Sequence, residues 1–224
     1  MSGQLRVWGV GTRRTLRPHW ALKELGLDYE THPVTPRSND LSSPDFFALN
    51  PRRKVPVLQD GDFIITESAA IVAYLAATYS TPERTLLAAT QQDGFRLMEW
   101  SYFVLTELDA TSLYVIRRHG KINGLAHVYG DAPEVVGQAE KYFQRHMVYV
   151  KSELNDGRRF IMGPHFTTAD LLLTTCLIWA RSYGIELDPV IADYMDRMTA
   201  RPAYQAAAIA NTPVDQTLRP AQAG

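Results

Sequence analysis

The chain has 224 residues, of which 46% are hydrophobic and 21% charged, a globular composition that excludes extended disorder. Its 23 basic and 24 acidic side chains leave a net charge of −1, so no overall field draws it to nucleic acid or to an anionic membrane. The one cysteine, Cys176, rules out an internal disulfide, and apolar runs such as 171–173 and 176–180 are too short to cross a bilayer.

The first residues lack the long apolar core of a signal peptide, which with the lone cysteine points to a cytoplasmic, reducing setting. Residues 5–10 form a short apolar run stopped by Gly11 and read as a buried strand. A helix is predicted over 18–25, with Pro18 in its first turn and Gly26 as its stop. A second strand is predicted over 29–34. Runs 57–59 and 63–66 flank Asp60, Gly61 and Asp62, a hairpin signal. Over 67–79 the spacing of Ile71, Val72, Leu75 and Tyr79 makes a helical apolar face.

Beyond Ser80, Thr81 and Pro82 the strand signals almost vanish. One long helical pattern covers 91–119, rich in aromatic residues, and another covers 134–154, where Val136, Ala139, Phe143, Met147, Val150 and Leu154 step by three or four. Further helices are predicted over 169–183 and 189–199. The chain therefore divides into an α/β half, 1–80, a linker, 81–87, and an all-helical half, 88–224.

Three segments resemble the cytosolic glutathione transferase family, in its bacterial form. The first runs Asn50-Pro-Arg-Arg-Lys-Val-Pro-Val-Leu58, then Asp60-Gly-Asp62, then Glu67-Ser-Ala-Ala-Ile-Val-Ala-Tyr-Leu75. The second is the loop and helix over 12–29. The third is Thr167-Thr-Ala-Asp170. The resemblance implies a thioredoxin-like N-terminal domain followed by an all-α domain, a homodimer, and glutathione as co-substrate.

Local chemistry agrees with that implication. Valine before Pro56 is held extended, and a cis bond there costs about 0.5–1 kcal/mol over trans. Such a segment can offer backbone groups to an extended peptide, and the resemblance gives Val55 and Pro56 this role toward glutathione. Glu67 and Ser68 begin a helix, where free N–H groups attract anions. The resemblance assigns Ser68 to the γ-glutamyl carboxylate, Glu67 to its ammonium, and Lys54 to the glycine carboxylate. Thr167 and Asp170 read instead as a capping box, a structural device.

A transferase must also ionise the thiol. Lowering a pKa near 8.5 by about two units takes roughly 2.7 kcal/mol, which a hydroxyl donor and a helix N-terminus can largely supply. Here the sequence departs from the family: Thr12 stands where serine is usual, Arg14 where cysteine or asparagine is, and Thr15 follows. Thr12 is the first candidate donor, Thr15 the second, and Arg14 an auxiliary, while simple capping by both threonines is the structural alternative. Arg53 replaces a common glycine. Arg13, Arg14 and Arg17, with Arg52, Arg53 and Lys54, form basic clusters that either steer an anion or make a solvated rim.

Cys176 lies in an apolar helical pattern and reads as buried and inert. The six histidines show no metal-ligand spacing, so no metal is expected. Tyr102, Phe103, Leu105 and Tyr114 are the candidates for an apolar co-substrate pocket. The expected activity is conjugation of glutathione to a small hydrophobic electrophile. Peroxide reduction, isomerisation or dehalogenation on the same fold, or a non-catalytic binding module, are the alternatives. No membrane or nucleic-acid partner is expected.

Overall fold

A computed structural model of the protein describes residues 4–213. Strand β1, Leu5–Trp8, is followed by helix α1, Arg13–Leu25, and strand β2, Glu30–His32. A short 3-10 turn, Asn39–Ser42, leads into helix α2, Pro44–Leu49. The hairpin of β3, Val57–Asp60, and β4, Phe63–Thr66, then precedes helix α3, Ser68–Tyr79. The strands order β2-β1-β3-β4, with β1 parallel to β2 and antiparallel to β3. The register sets Val7 against Thr31 on one side and Leu58 on the other. Flanked on both edges, β1 alternates buried Leu5 and Val7 with half-buried Arg6 and Trp8.

Helices α1 and α3 cover one face of this sheet. The other face carries a small separate cluster of Val34, Leu41, Phe46 and Val57, closed by α2. The β1 and β2 strands are shorter than the sequence pattern suggested, and α1 starts at Arg13 rather than at Pro18. Thr12 caps it, accepting the Thr15 N–H at 3.0 Å, so Pro18 sits inside the helix. The missing proline N–H costs one intrahelical bond, to Arg14. Packing on the sheet and on the helical half offsets that loss: Leu16, Trp20, Ala21 and Leu22 are all buried.

The connection 80–90 carries no helix or strand. Helix α4, Gln91–Phe103, passes into a π-helical stretch, Val104–Leu113, and then into α5, Tyr114–His119. The single helix read over 91–119 is thus three segments. Polar side chains loosen the ladder: Ser112 donates to the Glu107 carbonyl at 2.6 Å, and the Tyr114 N–H reaches back to Asp109. A short α6, Ala126–Tyr129, precedes the long α7, Pro133–Leu154, whose buried face is the expected stripe of Ala139, Phe143, Met147, Val150 and Leu154.

The central helix α8, Thr168–Ser182, is buried along nearly its whole length. At its start Asp170 accepts from the Thr167 N–H at 2.9 Å and hydroxyl at 3.1 Å, from Ile161 N–H at 2.7 Å and from Tyr194 at 2.8 Å. Thr167 and Asp170 therefore tie the helical half together. Helix α9, Pro189–Thr199, matches its predicted range, whereas α10, Pro202–Ala210, had no sequence assignment. It packs on α1, where Tyr204 meets the Trp20 ring edge-on and Arg201 pairs with Glu24 at 2.6 Å. Among the described residues no helix is long and apolar enough to cross a membrane.

Candidate functional site

The N-terminus of α1, the loop before β3 and the N-terminus of α3 meet along one side of a cavity of about 410 Å³. Gly9 permits the approach: at φ 127° a Cβ there would stand 2.7 Å from the Val55 Cβ. The Val55–Pro56 bond is cis, and the Lys54 carbonyl is held by the Asn50 amide at 2.8 Å. Among the described residues, the Val55 N–H and C=O have no intramolecular partner, and Val55, Pro56 and Lys54 line the cavity.

Thr12 lines it too; Thr15 does not. The Thr15 hydroxyl is fully buried and committed, 2.7 Å from Asn211 Oδ1 and 2.9 Å from the Thr12 carbonyl, while accepting the Thr12 N–H at 2.9 Å. Its one proton goes to one of those two oxygens. The Thr12 hydroxyl, by contrast, accepts the Thr15 N–H, and its own proton is free to turn toward Thr15 or the cavity. Asn211, just past α10, clamps this turn from outside: its carbonyl accepts the Gly11 N–H at 2.8 Å and its amide donates to the Thr12 carbonyl at 3.1 Å.

The arginines that look alike in sequence separate sharply. Arg17 is fully buried, not part of a solvated rim. Its guanidinium donates to Asp109 at 2.7 Å, Ser68 Oγ at 3.1 Å, Thr175 at 3.0 Å and the Cys176 sulfur at 3.4 Å. Arg14 is half-buried, donates to Asp109 Oδ1 at 2.5 Å and 3.0 Å, and lies over the Tyr114 ring at 4.5 Å. Burial opposes ionisation of Asp109, yet the flanking Arg17 and Arg14 hold its carboxyl below the usual carboxylate range. Burial pushes the Cys176 thiol up to about 12, so it stays protonated and unreactive.

Because Arg17 donates to Ser68 Oγ, the Ser68 hydroxyl proton is left to point elsewhere, and Ser68 borders the cavity at the start of α3. Glu67, with φ 70°, turns out toward solvent and pairs with Arg52 at 2.9 Å. The opposite wall comes from the helical half: Tyr114, Arg117, Leu125, Tyr129 and Trp179.

The four residues expected in an apolar co-substrate pocket are not brought together. Tyr114 lines the first cavity together with Thr12, its ring beneath the Arg14 guanidinium. Tyr102 and Leu105 line a second cavity of about 670 Å³ between α3 and α4, walled by Ala70, Ala73, Leu97 and Met98. Phe103 packs against Trp100, His146 and Tyr149.

Comparison with known proteins identifies the lineage of this arrangement. Residues 3–77 match the family model "Glutathione S-transferase, N-terminal domain". Glutathione S-transferase GstA of Escherichia coli O157:H7 is 34% identical over 201 residues, spanning 85% of this chain and 90% of that protein. The chain belongs to the glutathione S-transferase family. Glutathione S-transferase 3 of Zea mays is 29% identical over 90% of this chain and 91% of its own. Among solved structures, a glutathione transferase from Methylococcus capsulatus superposes with a TM-score of 0.76 at 29% identity, covering 92% of this chain and 98% of that one. The theta class enzyme of Xanthomonas axonopodis pv. citri, with glutathione bound, shares the fold with a TM-score of 0.78 at 22% identity, over 92% and 98%.

At this candidate site, sequence reasoning missed Asp109 and Asn211. Neither carries a motif. The only available signal for Asp109 is a carboxylate on the apolar side of a helical pattern, where an unpaired charge is costly.

Proposed function

We propose that this chain is a glutathione transferase that holds glutathione at the junction of its two halves and presents the thiolate to a hydrophobic electrophile. The observation that supports it most is one cavity lined by Thr12, Lys54, Val55, Glu67 and Ser68, with Tyr114 and Trp179 opposite. The free Val55 N–H and C=O would pair with the cysteinyl backbone of the tripeptide. Ser68, at the α3 N-terminus and backed by Arg17, would receive the γ-glutamyl carboxylate. Glu67 would take the ammonium and Lys54 the glycine carboxylate. Thr12 would donate its hydroxyl to the sulfur, helped by the α1 N-terminus, and Arg14 would add positive potential. In conjugation by substitution the sulfur bonds the electrophilic carbon, the leaving group departs with the bonding pair, and the proton of the thiol leaves to solvent.

Residues 1–80 would hold glutathione, 81–87 would serve as linker, and 88–224 would supply the co-substrate wall. The chain would work as a homodimer in a cytoplasmic setting, where reduced glutathione is available.

The engagement of Thr12 in the helix cap favours a second reading, binding without strong activation of the thiol. Ultraviolet thiolate absorbance of glutathione on the protein, titrated against pH, separates the two. A bound thiol ionising well below about 8.5, with the shift lost in Thr12→Ala and kept in Thr15→Ala, supports the transferase. Binding with no shift supports the second reading, and absence of binding removes both.

A further inference from the structure

The cavity carries more positive charge than glutathione and the protein's own carboxylates account for. Arg52 is paired with Glu67 and Arg14 with Asp109. Lys54 and Ser68 are assigned to the two carboxylates of the tripeptide. Arg117, on the helical wall, is half-buried and has no carboxylate partner among the described residues, and neither do Arg13, Arg37 and Arg53, which line the same cavity from the N-terminal half. Burial and the nearby Arg37 and Arg14 cations pull the Arg117 guanidinium below its ordinary range. A desolvated cation beside like charges is costly, and an anion placed there would offset it. Tyr114, Tyr129 and the nearly buried Trp179 line the same cavity as Arg117, with Arg14 over the Tyr114 ring and Arg118 over the Tyr129 ring, an aromatic wall that suits a flat body.

We infer that the second substrate is an aromatic electrophile carrying a carboxylate, its ring against Tyr114, Tyr129 and Trp179 and its carboxylate on Arg117. Arg37 adds to the field at the mouth. The inference rests on the transferase reading and narrows it to a substrate class. A chloronitrobenzoate illustrates the reaction: the glutathione sulfur bonds the ring carbon, chloride leaves with the bonding pair, and the thiol proton passes to solvent. Guanidinium–carboxylate pairing holds the ring so that this carbon meets the sulfur.

The test uses equilibrium binding, so that it does not depend on turnover. Calorimetry compares S-methylglutathione with two conjugates of equal shape, the S-(carboxynitrophenyl) and S-(carbamoylnitrophenyl) derivatives of glutathione. The expected result is that the carboxyl conjugate binds about tenfold tighter than the carbamoyl one, the scale of one partly desolvated charge pair. Added salt shrinks that advantage. Arg117→Met removes most of it, and Arg117→Lys keeps part. If S-methylglutathione binds but the two conjugates bind equally, the substrate class is overturned and the transferase reading stands. A preference that survives Arg117→Met unchanged overturns the assignment to Arg117. If none of the three binds, the proposed function itself falls. Arg37→Ala at the exposed loop, expected to reduce the preference by a smaller factor, covers the case in which Arg117→Met fails to fold.

Discussion

Thr12 and Thr15 occupy one turn of α1 yet face different surroundings, and a hydroxyl's chemistry follows its surroundings. Thr15, buried and bonded to Asn211, is structural. Thr15→Val leaves the Thr12 N–H without its acceptor and is expected to lower the unfolding free energy by about 1–2 kcal/mol, read from urea melts. Thr12→Val also removes a cap, about 1 kcal/mol, and is further expected to lower kcat at neutral pH about threefold, because raising the bound thiol pKa by one unit, from about 6.5 to about 7.5, cuts the thiolate fraction at pH 7 from roughly three quarters to one quarter. His19 shows the same dependence on place. Its Nε2 donates to the Gly9 carbonyl at 3.0 Å, so Nδ1 accepts the Tyr29 hydroxyl at 2.9 Å and the ring is a defined neutral tautomer. Burial lowers its pKa to about 4. The unfolded histidine, near 6.5, therefore binds the extra proton between those values, and stability falls as pH drops through that window, by at most about 1.4 kcal/mol per pH unit. Urea unfolding between about pH 7 and 4 should show a flatter dependence in His19→Gln; an unchanged slope would assign the acid sensitivity elsewhere.

Elements meet at the site through one buried ion network. Arg17 of α1, Ser68 of α3, Asp109 of the π stretch and Thr175 of α8 are joined by hydrogen bonds from a single guanidinium. The π stretch matters because its wide turn places both Leu108 and Asp109 inside, beside Ser112 and Leu113. Asp109→Asn leaves Arg17 buried without its carboxylate, and breaking such a pair costs about 3–5 kcal/mol. A lowered Tm is expected, together with weaker glutathione binding by calorimetry, because Ser68 loses its oriented partner. Unaltered affinity in a folded variant would show that Ser68 is positioned without the network.

At the scale of the molecule, α1 is the hinge of the architecture, since α3, α8 and α10 all pack on it. The proposed homodimer belongs to this scale as well. Phe95, Met98 and Tyr102 are exposed on α4 at helical spacing, beside the alanine-lined wall of α3, an apolar face of the kind that associates. Light scattering is expected to give the mass of two chains, falling to one in Met98→Asp with Tyr102→Asp. A monomeric parent chain would remove the dimer from the proposal. What the sequence determined is what depends on local spacing: the hairpin at Gly61, the apolar faces of α3 and α7, the range of α9, the Thr167–Asp170 box, and the Val55–Pro56 and Glu67–Ser68 signatures. The tertiary structure decided the rest. It buried Arg17 on Asp109, exposed Tyr102, set Tyr114 on the wall of the cavity that Thr12 lines, and brought Asn211 onto the first turn of α1. Periodicity says that a face is covered but not by what, and the fate of a charge depends on partners remote in the chain. That is why two similar arginines, Arg14 and Arg17, could not be told apart until the helices were packed.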